Sequence, residues 1–402
     1  MTNKEVVMVS ACRTPIARFL GSLKDVQAKE LAITVGKEAI RRANVDPSMI
    51  DEITMGEVYP HMQGSLPARQ VGLACGLTVE SSAVNINQNC TSAMRALEIA
   101  AHNIILGKTE IALVVGTESM TNVPYMLAKA RMGYRLNAGI LEDALIQDAL
   151  FCGFTGGHMA ITAENVAEKY GITREECDEL GLISHQRATA AVQNGTFKRE
   201  VVPVEIKGKK GKVTYYENDE HMIPDANLEA MSKLPPAFKK GGVVTAANAS
   251  GINDGAAGAV IMFKEKAEKL GIKPLMKLIN ICGAGMEPTL MGLGPAVAIP
   301  KCLKQANMKF EDVEYWEINE AFAAQWLGVG RMLKEDYGMN LSLDKVNHNG
   351  SGIALGHPVG ATGLRIIVSM YYEMERLGLT IGGASLCVGG GPAMCSLWTR
   401  NI

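Results

Sequence analysis

The sequence has almost no net charge. Its 40 Lys and Arg face 42 Asp and Glu, for a formal balance of −2, and the two signs are interspersed. A nucleic-acid binder carries a basic face, and nothing in this pattern looks like one, while a small basic site for a phosphorylated ligand stays open. The longest basic run, "KGKKGK" at 207–212, lies in a glycine-rich turn and reads as a solvated hairpin tip. No apolar stretch is long and uninterrupted enough to span a bilayer. The nine cysteines are odd in number, scattered and without CxxC spacing, which fits a reducing compartment better than a disulfide framework. No Cys or His pairs stand at zinc-ligand spacing, so no metal site is expected. "EVVMVSACRTP" at the N-terminus already reads as a strand and a turn, which leaves no room for a signal or transit peptide. These absences together lead to the expectation of a soluble cytoplasmic protein.

What is present is an alternating β/α pattern at both ends of the chain. At 402 residues the length suggests two to three domains at about 100–200 residues each. "EVVMVS", "DEITMGEV", "SAVNIN" and "EIALVVGTESM" read as strands, and "AKELAITVGKEAIRRA" and "TSAMRALEIAAHNIILG" as helices. The second helix carries one narrow polar stripe, Arg95, Glu98 and His102, and is otherwise apolar, so it belongs inside the protein. From about Thr121 to Thr245 the composition turns polar and irregular around one helix pair, as an inserted lobe covering a site does. The first pattern then recurs. "VNHNGSGIALGHPVGATGLRIIVSMYYEMERLG" at 346–378 reads strand, glycine-rich loop, helix, and "GGASLCVGGG" follows as a strand. The order of elements points to two duplicated α/β halves, each aiming a helix N-terminus at one centre.

Four residues stand where they could do chemistry. Cys90, in "NQNCTSAM", lies at or next to the N-cap of the buried helix, and its neighbours Asn87, Gln88 and Asn89 are polar. Free cysteine is commonly a core filler, but polar neighbours and a helix N-terminus favour a reactive thiolate of lowered pKa. His357 sits in "GIALGHPVGATG", where flanking glycines allow close approach to a ligand and Pro358 stiffens the chain, as a general base requires. A hydrogen-bonded structural histidine is the alternative, and His348 reads as a solvent-facing or turn-capping one. Cys387 ends a strand and opens into "VGGG", whose successive N–H groups can form an oxyanion hole. Cys395 reads as a buried strand cysteine. Asn319, in "WEINEAFAAQ", falls at a strand-to-helix junction. By itself it reads as a helix cap, and the functional alternative is a residue that holds a water for an oxyanion.

The motifs "SACRTPI", "TAANASGINDGAA", "NEAFA", "GHPVGATG" and "LCVGGG", in this order from about residue 5 to the end, resemble those of the thiolases, in the acetyl-CoA acetyltransferase and 3-ketoacyl-CoA thiolase branch. The resemblance implies a five-layered αβαβα fold of two duplicated halves. On that reading 1–120 plus 246–272 form the N-terminal half, 121–245 an inserted loop domain and 273–402 the C-terminal half. It implies a homodimer or homotetramer in fatty acid metabolism, with coenzyme A and acyl-CoA as substrates and no permanently bound cofactor. A second subunit is not indicated.

Carried over by position, the resemblance makes Cys90 the acylated nucleophile, His357 its base and Cys387 the acid/base at the substrate α-carbon. Asn319 would hold the water of one oxyanion hole, and the N–H groups of Cys90 and Gly389 would form the other. Ser250, Ala246, His158 and Met159 would line the pantetheine tunnel, Phe238 would pack near the adenine, and Met291 and Phe322 would line the acyl pocket. Thr91, Ala93, Met94, Ala247 and Pro392 depart from the family pattern, and 217–227 lacks an expected Arg near the CoA. These positions bear on acyl-chain specificity. The alternatives are a thiolase for longer, branched or aromatic 3-ketoacyl-CoA, a decarboxylating ketosynthase, which usually needs a second catalytic His, and a non-catalytic acyl-CoA-binding subunit.

Overall fold

The computed structural model describes residues 5–208 and 211–402. Lys209 and Lys210, in the basic run, therefore lie outside the described residues. The run is flanked by a hairpin of Val204–Lys207 and Val213–Tyr216.

One mixed sheet of ten strands has nine along its path, β1 (Val6–Arg13), β2 (Glu52–Gly56), β3 (Ser82–Ile86), β4 (Ile111–Ser119), β5 (Asn253–Phe263), β6 (Met276–Gly285), β7 (Tyr315–Ile318), β8 (Ile381–Cys387) and β9 (Pro392–Thr399), and a two-residue strand, Ala17–Arg18, paired to β5 off that path. The order across it is β7-β8-β9-β6-β1-β5-β4-β2-β3. In one wing β1 runs antiparallel to β5 and β5 antiparallel to β4, then β4, β2 and β3 are parallel. In the other wing β6 runs antiparallel to β9 and β9 antiparallel to β8, then β8 and β7 are parallel. The same path is traced twice, which is the duplication expected from the repeated motif order. The strand expected at Val346 shrinks to a single parallel bridge with Trp316. Asn347 there takes a positive φ of 50° and spends its side chain on the Ile318 N–H and C=O, so the ladder stops.

The main helices are α1 (Ala28–Ala43), α2 (Pro67–Ala74), α3 (Ser92–Ile105), α4 (Ala160–Tyr170), α5 (Arg174–Gln193), α6 (Gly294–Ala306), α7 (Ala323–Tyr337) and α8 (Thr362–Leu377). Strand alternation assigns them to layers. Along β4, Ile111, Leu113 and Val115 pack toward α1 and α2, while Ala112 and Val114 pack toward α3. Along β9, Met394 and Trp398 share the core of α3 and α8, while Cys395 and Leu397 face α6 and α7. Among the described residues the strands of the two wings pair at just two positions, Val7↔Lys277 and Met8↔Met276, so the wings splay and hold α3 and α8 between them. The result is five layers, helix–sheet–helix–sheet–helix. α3 buries nine of its fourteen residues and α8 twelve of its sixteen, and their first turns touch. A Cβ added at Gly363 would lie 2.7 Å from Met94 N, and one at Gly56 would lie 2.3 Å from Ala93 N. Ala93 and Met94 fit at this contact because the residues facing them are Gly56 and Gly363.

Between β4 and β5 the chain leaves the sheet and forms α4, α5 and the hairpin. It is anchored back by Arg13 at the end of β1. The fully buried guanidinium donates to Glu200 at 2.6 Å and to both carboxylate oxygens of Asp219 at 2.7 and 2.9 Å, and it lies 4.7 Å over the Phe197 ring. Buried charge is tolerated only when it is paired in this way. Among the described residues no helix is long and apolar enough to cross a membrane.

Candidate active site

A cavity of about 380 Å³ opens where α3 and α8 begin. Its wall includes Cys90, His357, Cys387 and Gly389, together with Ser250, Ala246, His158, Met159, Phe238, Met291 and Phe322. Of the catalytic and binding residues that the resemblance carries over, Asn319 alone is not part of the wall. It is fully buried behind it. No group of His, Cys, Asp or Glu among the described residues could hold a metal ion.

Cys90 precedes the N-cap residue of α3, Thr91. The turn that carries it is built by its polar neighbours. Asn89 takes a left-handed φ of 46°, a conformation asparagine tolerates. Its amide reaches across to the Gly389 carbonyl at 3.1 Å, and Asn87 donates to the Val58 carbonyl at 3.2 Å. The Cys90 turn and the "VGGG" turn are thereby tied together. The Cys90 sulfur is met by the backbone N–H of Gly389 and by its own. A thiolate of lowered pKa was the expectation from the helix N-terminus. Instead burial outweighs those N–H groups and pushes the thiol up to about 11.

His357 hangs from a loop held at two points. Its own N–H donates to Asn253 Oδ1 at 2.9 Å, and the Gly360 N–H donates to Glu118 Oε2 at 2.9 Å. The ring is buried. Nδ1 lies 2.7 Å from the Thr362 hydroxyl, and Nε2 has no partner. Burial first, and then the nearby Arg365 charge, push the imidazole down to about 3, so it is neutral. His348, by contrast, faces neither the cavity nor open solvent. It bonds Glu373 at 2.9 Å and the Asp344 carbonyl at 2.7 Å.

Cys387 ends β8, fully buried, and burial followed by the neighbouring Cys90 raises its thiol well above the usual range. Cys395 is a buried strand residue on β9, as expected. Asn319 does not cap α7, because the N-cap position belongs to Phe322. Its main chain bonds the Ser385 carbonyl at 3.0 Å, two residues before Cys387. Its Oδ1 takes Arg365 Nη2 at 3.4 Å, and Nδ2 is buried without a partner. Arg365 is donor-only, so the amide oxygen faces it and the amide NH₂ faces away. An unsatisfied buried donor needs an acceptor that a water or ligand can provide.

The outer part of the cavity is apolar with few polar groups, the usual character of a small-molecule site. His158 stacks on Phe238 with ring centroids 4.3 Å apart. Ser250 is positioned by its N–H on the Ala321 carbonyl at 2.9 Å. His221 also lines the cavity, and burial lowers it to about 4. Sequence reasoning missed His221, Thr362, Asn253 and Glu118. The glutamate accepts three main-chain N–H groups, from Val58, Tyr59 and Gly360, at 2.9, 3.1 and 2.9 Å. None lies in a pattern that periodicity picks out, although "GATG" did contain Thr362.

The chain matches the model of the thiolase N-terminal domain over residues 6–265 and that of the thiolase C-terminal domain over residues 272–400. The acetyl-CoA acetyltransferase of Syntrophomonas wolfei subsp. wolfei is 47% identical over 391 residues, covering 97% of each chain. That of Escherichia coli K12 is 44% identical over 398 residues, covering 99% of each. Among solved structures, an acetyl-CoA acetyltransferase from Syntrophomonas wolfei superposes with a TM-score of 0.98 at 63% identity, over 99% of this chain and 100% of that one. Human mitochondrial 3-ketoacyl-CoA thiolase in complex with CoA superposes with a TM-score of 0.94 at 37% identity, over 99% and 98%.

Proposed function

This chain belongs to the thiolase family, and on that premise we propose that Cys90, His357 and Cys387 carry its chemistry, with Asn319 and the N–H groups of Cys90 and Gly389 stabilising the oxyanions. The protein is an acyltransferase with thiolase activity, and acyl-CoA thioesters are its substrates. The observation that supports this assignment of residues is that two thiols and an unpartnered imidazole nitrogen face one cavity.

In the degradative direction Cys90 gives its proton to His357 Nε2 as its sulfur attacks C3 of a 3-ketoacyl-CoA. The C3 oxygen takes the negative charge and is met by the N–H groups of Cys90 and Gly389. Collapse breaks the C2–C3 bond and sends its electron pair into an acetyl-CoA enolate, whose oxygen is met by a water held on Asn319 and by His357. Cys387 gives its proton to C2, and acetyl-CoA leaves. The proton on His357 then passes to the Cys387 sulfur. Burial favours the neutral form of both groups, so this transfer is downhill. A CoA thiol next loses its proton to His357 and attacks the acyl-Cys90, and the expelled Cys90 sulfur recovers that proton. Covalent storage divides one hard step into two. Each oxyanion donor is worth on the order of 10²–10³ in rate. Condensation is the reverse.

The simplest substrate pair is acetoacetyl-CoA and CoA. The pantetheine arm would lie along Ser250, Ala246, His158 and Met159, with Phe238 near the adenine and Met291 and Phe322 against the acyl group. The same reading divides the chain into 1–120 plus 246–272, 121–245 and 273–402. It makes the protein a cytoplasmic homodimer or homotetramer with no permanently bound cofactor. Thiolysis rates with acetoacetyl-CoA and with longer, branched and aromatic 3-ketoacyl-CoA test the substrate. Fastest turnover of acetoacetyl-CoA is expected, and preference for a bulkier chain would replace this reading with a specialised thiolase.

A further inference from the structure

A base that takes the Cys90 proton at Nε2 must carry its own proton on Nδ1. Among the described residues the partner of His357 Nδ1 is the Thr362 hydroxyl, at 2.7 Å, and Nε2 has none. The same hydroxyl lies 2.9 Å from the Pro358 carbonyl, four residues earlier. Threonine makes this back-bond readily where a helix begins. The carbonyl also takes the N–H groups of Ala361 and Thr362, at 2.9 and 3.0 Å, as α8 starts.

A hydroxyl has one proton. Given to Pro358, it leaves the Thr362 oxygen only an acceptor toward His357, and the Nδ1 proton stays on the ring. The opposite tautomer would put a hydrogen on Nε2, which meets no protein acceptor among the described residues. An orphaned buried N–H is rarer and costlier than an unfilled lone pair. The same geometry serves the imidazolium, whose two nitrogens both donate. The bonds from Asn253 and Glu118 hold the main chain of this loop and do not choose between tautomers.

We propose that Thr362 is a positioning residue that sets the tautomer of His357 and so makes Nε2 the acceptor for the Cys90 proton. The proposal rests on the reading of His357 as the base.

Three variants test it: Thr362→Val, which keeps the shape and removes the hydroxyl, Thr362→Ser, which returns it, and His357→Asn. With acetoacetyl-CoA and CoA, T362V is expected to lose about 10–10²-fold in kcat, a part of the ~10²–10⁴ that a positioned base supplies, with little change in KM. T362S should recover most of the rate. Losing an acceptor on Nδ1 disfavours the imidazolium, so the acidic limb of the pH profile should move to lower pH in T362V and return in T362S. A wild-type rate and pH profile in T362V, with H357N inactive, would overturn the tautomer proposal and leave the base assignment standing. A loss in T362V that serine does not restore would overturn it too. A wild-type rate in H357N would overturn the base assignment itself, and this proposal with it.

Discussion

Gly116 lies in β4 at the place where the beginnings of α3 and α8 meet. A methyl added there would stand 2.5 Å from the Ala93 Cβ, 3.0 Å from the Ala361 Cα and 3.1 Å from the Gly360 carbonyl oxygen. Carbon atoms rest at about 3.5–4.0 Å, so Ala93 must yield by roughly 1 Å and Ala361 by roughly half that or more. The strand cannot retreat, because it is paired with β2 on one side and β5 on the other. Ala93 follows Cys90 closely and Ala361 follows His357 closely, so the methyl drives a wedge between Cys90 and His357, the proposed nucleophile and base. Overpacking of this kind costs about 1–3 kcal/mol, which a chain of this size survives. Misplacing reacting groups by about 1 Å costs on the order of 10²-fold in rate. Gly116→Ala is therefore expected to fold, with a slightly lowered unfolding midpoint, and to lose about 10²-fold in kcat for acetoacetyl-CoA thiolysis. Gly330→Ala, where an added Cβ meets nothing within 4 Å, is the control and should keep its rate. A G116A enzyme with wild-type kcat would refute the claim that contact between the two helix beginnings fixes the catalytic geometry.

Cys387→Ala should separate the two halves of the reaction. Exchange of labelled CoA into acetyl-CoA needs only Cys90 and His357 and should continue, while acetoacetyl-CoA cleavage falls by about 10²–10⁴. Burial raises Glu57 to about 7, and burial followed by the neighbouring Glu57 raises Glu118 to about 8. Both are raised above the unfolded value of 4.5, so folding takes up protons, and the stability they contribute is lost as pH rises through that window. Urea unfolding should show Glu57→Gln flattening this decline. A slope unchanged by E57Q would contradict the assignment. Arg13→Met leaves Glu200 and Asp219 buried without their partner and should cost about 3–5 kcal/mol, read as a shifted urea midpoint. A loss within about 0.5 kcal/mol, the range of ordinary surface changes, would deny the anchor.

The layered architecture was legible because its signals are local. β4 alternates between two helical layers, and α3 is apolar on most sides, so both announce their burial in sequence. The duplication was legible because the order of elements repeats even where the letters do not. Val346 was misread as a full strand, since nothing in "VNHN" reveals that Asn347 turns its amide back onto Ile318. The thiols, the histidine and the glycine turn stood out through their unusual neighbours. Their supports did not. Arg13 with Glu200 and Asp219, Glu118 with Gly360, and Asn253 with His357 join residues that are more than 100 positions apart. Such partners look like ordinary charged or polar residues until the fold brings them together. The charge state of Cys90 was missed for a related reason. A helix N-terminus can be read from sequence, whereas the burial that outweighs it is a property of the whole fold.

Peptide mapping by mass spectrometry, after the protein is mixed with acetyl-CoA and quenched, tests the assignment of the nucleophile most directly. The account predicts an acetyl group on Cys90 in the wild type and in C387A, strongly reduced in H357N, and no acetyl group on Cys387. Turnover with the acetyl group on another residue, or turnover that survives Cys90→Ala, would contradict it.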